Sequence, residues 1–204
     1  MSTNSPISDP EPILTIVGER VALGPLSPDL VPTITRWMND PTTIRTLGPN
    51  APGPLTELAE SAWVETASRE KQHLFVIRER ETLRPIGTTD LREISYRNRS
   101  GSFGINIGER DARGKGFGTE ATRLMLDHAF TVVGLHSVDL GVAAFNEAGI
   151  RAYTKAGFRE VGRLRERWWF AGKLWDWVMM DCLATEFDSP VLGKIFSEEA
   201  LRQP

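Results

Sequence analysis

The order of hydrophobic patterns predicts an α/β (α+β) fold on a mixed, mostly antiparallel sheet with flanking helices. Three observations carry this. Strand-like runs follow one another from His73 to Glu109, with turn residues between them. A glycine loop, Arg113 to Gly118, opens directly into a segment of helical period. A strand, a short helix and a long hairpin come after it. The chain has 204 residues, 40% of them hydrophobic, which suits one core rather than several.

Residues 1–12 are polar and Pro-rich and read as a flexible leader before a domain over 13–186. GERVALGPL reads as a strand and turn. In SPDLVPTITRWMND, Ser27 can cap a helix and Pro28 can take its first position. Leu30, Ile34, Trp37 and Met38 give that helix an apolar face. NDP and GPNAPGP read as breakers. A second helix is expected through LTELAESAWVETA, with Leu58, Ala62 and Leu55 facing inward. HLFVIRE, IGTTDLREI and GSFGINIGE are strands joined by the turns ETLRP and YRNRS, which makes two antiparallel hairpins in series.

After the glycine loop a helix is expected to about Ala129, with Ala121, Leu124, Met125, Ala129 and Phe130 inward. HSVDLGVAA is a strand. NEAGIRAYTKAGF is a short helix closed by Gly157, a residue suited to a left-handed cap. EVGRLRERWWF and KLWDWVMMDCL form a hairpin around AG. Alternation puts Trp175 and Trp177 on one face, and likewise Arg163, Arg165 and Arg167. The tail over 187–204 has weak periodicity and is unassigned.

Composition removes several function classes. Lys and Arg total 24, Asp and Glu 27, for a formal charge of −3, which argues against wholesale binding of nucleic acid. The single cysteine, Cys182, excludes an intrachain disulfide, and its apolar strand predicts a buried, inert thiol. The opening residues lack the apolar stretch of a signal peptide, and no segment has the length of a membrane span. A cytoplasmic protein without membrane contact is the expectation. No His pair has metal-ligand spacing, so no metal is expected.

The glycine loop is the strongest local signal. A helix N-terminus offers backbone N–H groups without helical partners, and residues without side chains let a ligand approach them. With the helix dipole and Arg113 and Lys115 nearby, the site suits phosphate or pyrophosphate. The other reading is a tight connection that binds nothing. A Walker loop does not fit, because Lys115 and Thr119 are misplaced for one. A dinucleotide fingerprint does not fit either, since Gly114, Gly116 and Gly118 lack its spacing and follow an antiparallel meander.

Arg113-Gly114-Lys115-Gly116-Phe117-Gly118 resembles the R/Q-x-x-G-x-G/A loop of the GCN5-related N-acetyltransferases (GNAT). FGINIGE before it, TEATRLMLDHAF after it and the later NEAGIRAYTKAGF occupy the places of that family's other signatures. The helix-first start and the late FREVGRLRE hairpin resemble the branch that acetylates ribosomal-protein N-terminal alanine or serine. The resemblance spans about residues 14–186.

It implies a six- to seven-stranded sheet whose fourth and fifth strands splay apart, with acetyl-CoA as cosubstrate in the gap. The pyrophosphate would meet Arg113, Gly114, Lys115, Gly116, Phe117, Gly118 and Thr119. The pantetheine arm would run beside the strand at Ile107. Asn146 would bond that arm or cap its own helix. The acceptor would be a primary amine, on a protein N-terminus or a small molecule, and a homodimer is possible. The alternative is a non-catalytic module that binds coenzyme A as a sensor.

Acetyl transfer needs a neutral amine, a donor for the developing oxyanion and a proton for the leaving thiolate. A backbone N–H within 107–109 would meet the carbonyl. Tyr153 falls where the family often has a tyrosine near the sulfur, and a phenol can give that proton. Its plainer reading is a packed aromatic. Glu109 is the candidate base, with Asp90 and Glu93 as alternatives, and His128 and His136 are weaker ones. Acids on the first helices, Asp29 and Glu57 among them, would steer a cationic amine. The acceptor loops are expected at 38–56 and 92–101, with the late hairpin.

Overall fold

The computed structural model describes residues 11–48, 53–69 and 73–202, so most of the expected leader lies outside the described residues. The strands are β1 Ile16–Val17, β2 Val21–Pro25, β3 His73–Glu79, β4 Pro85–Ser95, β5 Ser100–Ile107, β6 Ser137–Ala143, β7 Arg159–Phe170 and β8 Lys173–Leu183. The helices are α1 Val31–Met38, α2 Pro41–Ile44, α3 Glu57–Arg69, α4 Phe117–Asp127, α5 Glu147–Ala156, α6 Leu192–Ile195 and α7 Glu198–Leu201. The sheet has eight strands in the order β1-β2-β3-β4-β5-β6-β8-β7. The count exceeds the expected six or seven because of the two-residue β1, whose brevity hid it from any periodicity test.

All neighbouring pairs are antiparallel except β5 and β6. That parallel pair is joined over only Ser100↔Ser137, Gly101↔Val138 and Ser102↔Asp139. Beyond Ser102 the two strands part, leaving the far half of β5 and of β6 on the walls of a V. A parallel pair needs a crossover, and α4 supplies it. Its face of Ala121, Leu124 and Met125 joins residues from both sides of the V in one apolar core. A π turn, His128–Val132, extends α4 and includes buried Ala129.

Several expectations need correction. Ser27 makes no side-chain cap; its carbonyl accepts from Leu30 N–H at 3.1 Å, and Pro28–Leu30 is a 3-10 turn ahead of α1. The breaker Asn39-Asp40-Pro41 begins a helix instead: Asp40 caps α2 by accepting from Thr42 N–H at 3.0 Å. On α3, Leu58 and Ala62 face outward, while Glu60, Val64 and Ala67 are buried. The β7 alternation is broken by register shifts between Glu160 and Gly162 and between Leu164 and Trp168. Trp168 is buried against Phe145 and Trp177, whereas Trp169 is exposed. Cys182 is buried, and burial pushes its thiol up to about 11.

The segment after Glu186 is held to the core by one carboxylate. Buried Asp127, at the end of α4, accepts from Ser189 Oγ at 2.6 Å and from the N–H groups of Val191 and Leu192 at 3.0 and 2.8 Å. It also accepts from Thr131 Oγ1 at 3.0 Å. Leu192 then enters the main apolar core. No described helix is long and apolar enough to cross a membrane.

Candidate active site

Two clefts open on the V. The first, of about 450 Å³, lies between the glycine loop, the end of β5 and α5. Gly114 and Gly116 have φ of +73° and +87°, values that favour glycine, and they turn the chain so that α4 starts facing this cleft. The N–H groups from Gly114 to Thr119 have no acceptor among the described residues. Arg45, Arg113, Arg151 and Lys155 line the same space, and no carboxylate among the described residues does. The open donors of this loop and the cations beside it suit an anion.

Of the expected cofactor residues, Ile107, Arg113, Gly114, Gly116, Gly118, Thr119 and Asn146 line this cleft. Lys115 does not; it is exposed on the loop's outer side. Phe117 does not either; its ring is buried in the core beneath the Arg20 guanidinium. Arg113 turns inward. It donates to the Ile107 and Gly108 carbonyls at 2.9 and 3.2 Å and to the Thr42 and Thr43 hydroxyls at 3.1 and 2.6 Å. Its guanidinium thus clamps α2 to the end of β5. Arg45, Arg151 and Lys155 are the cations that sequence reasoning missed. Lys155 shares a helical face with Ala148, Arg151 and Ala152, a spacing that would have shown it. Asn146 caps α5 by accepting from Gly149 N–H at 3.0 Å while still lining the cleft.

The second cleft, about 590 Å³, lies on the other side of the V under α1 and α3. Met38, Thr46, Leu47, Gly48 and Leu55 line it, as does Trp177 of the late hairpin, so each of the three expected acceptor segments contributes, 92–101 through a single residue. That residue is Arg92. Its acids are Glu60 and Asp90. Burial pushes both carboxyls upward, and for Asp90 the nearby Arg92, at 3.2 Å, partly opposes this. Gly104 makes room for the pair, since a Cβ there would strike both side chains, and Gly141 leaves space for the Trp177 indole.

Thr46, Ile105, Asn106 and Tyr153 line both clefts. Tyr153 packs edge-on against Phe103 and Phe158, with centroids 6.2 Å away in each case. Its hydroxyl has no hydrogen-bond partner among the described residues, and burial pushes its pKa up to about 12. Tyr153 therefore keeps its proton at pH 7 and has one to give, while burial makes it a weaker acid than a free phenol.

Glu109 lines neither cleft, which corrects its assignment as base. Its carboxylate accepts from Arg36 and from the Trp37 indole N–H at 2.9 Å, and Arg36 holds its pKa below the usual range. A carboxylate stabilised in its charged form is a poor proton acceptor. The Glu109 N–H is bonded to the Ile86 carbonyl at 3.1 Å, so 107 and 108 remain of the stretch expected to meet the oxyanion. Glu93 makes a bulge with φ of +52° outside both clefts. His73 Nδ1 and His128 Nε2 are 3.0 Å apart, a pairing that sequence separation concealed. Neither lines a cleft. No group of three potential metal ligands occurs among the described residues.

The acetyltransferase (GNAT) domain family matches residues 20–159. The chain belongs to this family. Spermidine N(1)-acetyltransferase of Vibrio cholerae is 35% identical over 102 residues, 50% of this chain and 58% of the relative. The uncharacterized N-acetyltransferase p20 of Bacillus licheniformis is 26% identical over 178 residues, 85% of this chain and 98% of the relative. The matched segment thus spans less than two thirds of the first of these relatives. Among solved structures, the Vibrio cholerae spermidine N-acetyltransferase in complex with CoA and spermine superposes with a TM-score of 0.73 at 25% identity, covering 82% of this chain and 97% of that one. The family is therefore shown, and the ribosomal-protein branch is not.

Proposed function

We propose that the chain is an acetyl-CoA-dependent N-acetyltransferase that acts on a primary amine by direct attack in a ternary complex. One observation carries this: Tyr153 stands where a cationic cleft and an acid-bearing cleft meet. The donors of Gly114–Thr119 would hold the coenzyme's pyrophosphate, with Arg45 and Lys155 beside it, neither of them in an ion pair among the described residues. Arg113 acts by fixing the loop's neighbours. The arm would pass Asn106 and Ile107 on the splayed half of β5 and bring the thioester to the V.

The acceptor enters from the second cleft. A carboxylate there, Glu60 or Asp90, takes the ammonium proton. The amine nitrogen bonds to the carbonyl carbon, and the carbon–sulfur bond breaks. Tyr153 gives its proton to the thiolate, and the acylated nitrogen then releases its second proton to the Tyr153 phenolate, leaving amide, free thiol and neutral Tyr153; alignment of the two reactants lowers much of the barrier. Relatives named for spermidine, and a cleft of small-molecule size, support a free amine over a ribosomal-protein N-terminus. A cytoplasmic setting is part of the same reading.

Calorimetry with acetyl-CoA, followed by thiol release and mass detection across an amine panel, tests this. Binding with an N-acetylated product and matching free thiol is expected. Tight binding without product from any amine would establish the non-catalytic coenzyme A module instead.

A further inference from the structure

The charges in the acceptor cleft say more about the amine than the family does. Its described lining holds two carboxylates and one guanidinium. Asp90 is paired with Arg92 at 3.2 Å. Glu60, only 6% exposed, has no ion-pair or side-chain hydrogen-bond partner among the described residues. Of the two internal segments outside the described residues, 49–52 has no charged residue, and 70–72 has Glu70 and Lys71, whose charges cancel. The remaining wall is largely apolar and aromatic, with Ile34, Trp63, Phe103 and Trp177 prominent, and is interrupted by the polar side chains of Thr46, Thr88 and Asn106.

A cavity whose described lining carries one uncompensated negative charge suits one positive charge. A polyamine would bring further ammonium groups into a space whose other described charges are the Asp90–Arg92 pair, already matched with each other, and desolvating an unpaired ammonium is costly. An apolar body, by contrast, gains about 25 cal/mol for each Å² it buries against that wall.

Resting on the acetyltransferase reading, we infer that the acceptor is a monoamine with an aromatic or branched aliphatic body, and that Glu60 receives its ammonium and takes its proton. The proton passes from R–NH₃⁺ to the Glu60 carboxylate, leaving R–NH₂ to attack and Glu60 neutral. The burial that raises the Glu60 pKa makes it the better acceptor of that proton. Asp90, held by Arg92, shapes the cleft floor.

Steady-state rates of the full chain with acetyl-CoA and either 2-phenylethylamine or spermidine test the inference. The expected kcat/KM for 2-phenylethylamine is at least tenfold higher. Glu60→Gln should lower it by about 10²-fold or more and remove the acidic limb of its pH profile. The variant's Tm should hold or rise, because a buried carboxylate without a partner is lost. Equal or better use of spermidine overturns the inference and leaves the acetyltransferase standing. So does a Glu60→Gln enzyme with wild-type kcat/KM. The ranking of amines by the wild type needs no variant to fold. Acetyl-CoA binding with no product from any amine overturns the acetyltransferase reading itself.

Discussion

At Tyr153 the packing and catalytic readings of the sequence make opposite predictions. The ring is wedged against Phe103 and Phe158, while the hydroxyl has no partner among the described residues. Tyr153→Phe keeps the ring contacts and removes only the proton donor. Turnover is expected to fall by about 10²–10⁴-fold, with KM for acetyl-CoA little changed. The Tm should stay near wild type, because no hydrogen bond within the protein is lost. A loss of stability with turnover intact, measured by a melt and a steady-state assay side by side, would return Tyr153 to the core. Glu109 shows the limit of reading single residues. Its place after β5 is right for a base, but Arg36 and Trp37 claim it from helix α1, more than 70 positions earlier in the chain, and that meeting exists only after folding.

Among elements, α4 and its loop were the most legible. Glycine at 116 and 157 follows from local geometry, positive φ at a helix start and a helix end, which sequence shows directly. The face of α3 was not legible, and the reason is functional. The ordinary rule buries Leu58 and exposes Glu60; here a cleft behind the helix inverts it. Helix α2 was hidden because Asp-Pro ends one helix and also starts the next, as cap and first residue. The bulges in β7, with Glu166 at φ +53°, break the alternation that was used to pair its side chains. The glycine loop also offers a separable test. Gly118 lies in the first turn of α4 without positive φ, and a Cβ there would meet Ile107 Cγ1 at an ordinary 3.5 Å. Gly118→Asp therefore puts a carboxylate into the cradle without backbone strain, at the end of the dipole that tolerates it. Affinity for acetyl-CoA should fall by at least about 10²-fold in calorimetry, with Tm within a few degrees of wild type.

For the molecule as a whole, two buried polar groups control stability. Asp127→Asn replaces one carboxylate oxygen by an NH₂ that cannot accept from Ser189 or from the Val191 and Leu192 amides. A loss of about 2–4 kcal/mol in denaturant melts is expected, with faster proteolytic cleavage beyond Phe187. His128 is held neutral, its pKa pushed down to about 4 by burial first and by His73 second. The unfolded chain, with a histidine pKa near 6.5, binds more protons between these values. Stability from this residue is therefore complete above about pH 6.5 and is lost as pH falls toward 4, by up to about 3 kcal/mol. Paired carboxylates act in the same direction, so the measurement is the difference between wild type and His128→Asn; the variant's stability should depend less steeply on pH across that window.

The three-residue ladder between β5 and β6 has a mechanical meaning. A continuous sheet resists bending along its whole width, but this one is stitched across its middle by a few rungs and by the core beneath. The two halves form the arms of a clip, and α4 is its spring. A ligand with backbone-like groups in the gap would add rungs of its own and would make the filled molecule stiffer than the empty one. Amide exchange in Gly104–Ile107 and Gly141–Ala143 would slow first, ahead of any change at the outer strands. The ligand in such a clip is a temporary part of the architecture, and its departure loosens the molecule along a seam already present in the chain's own topology.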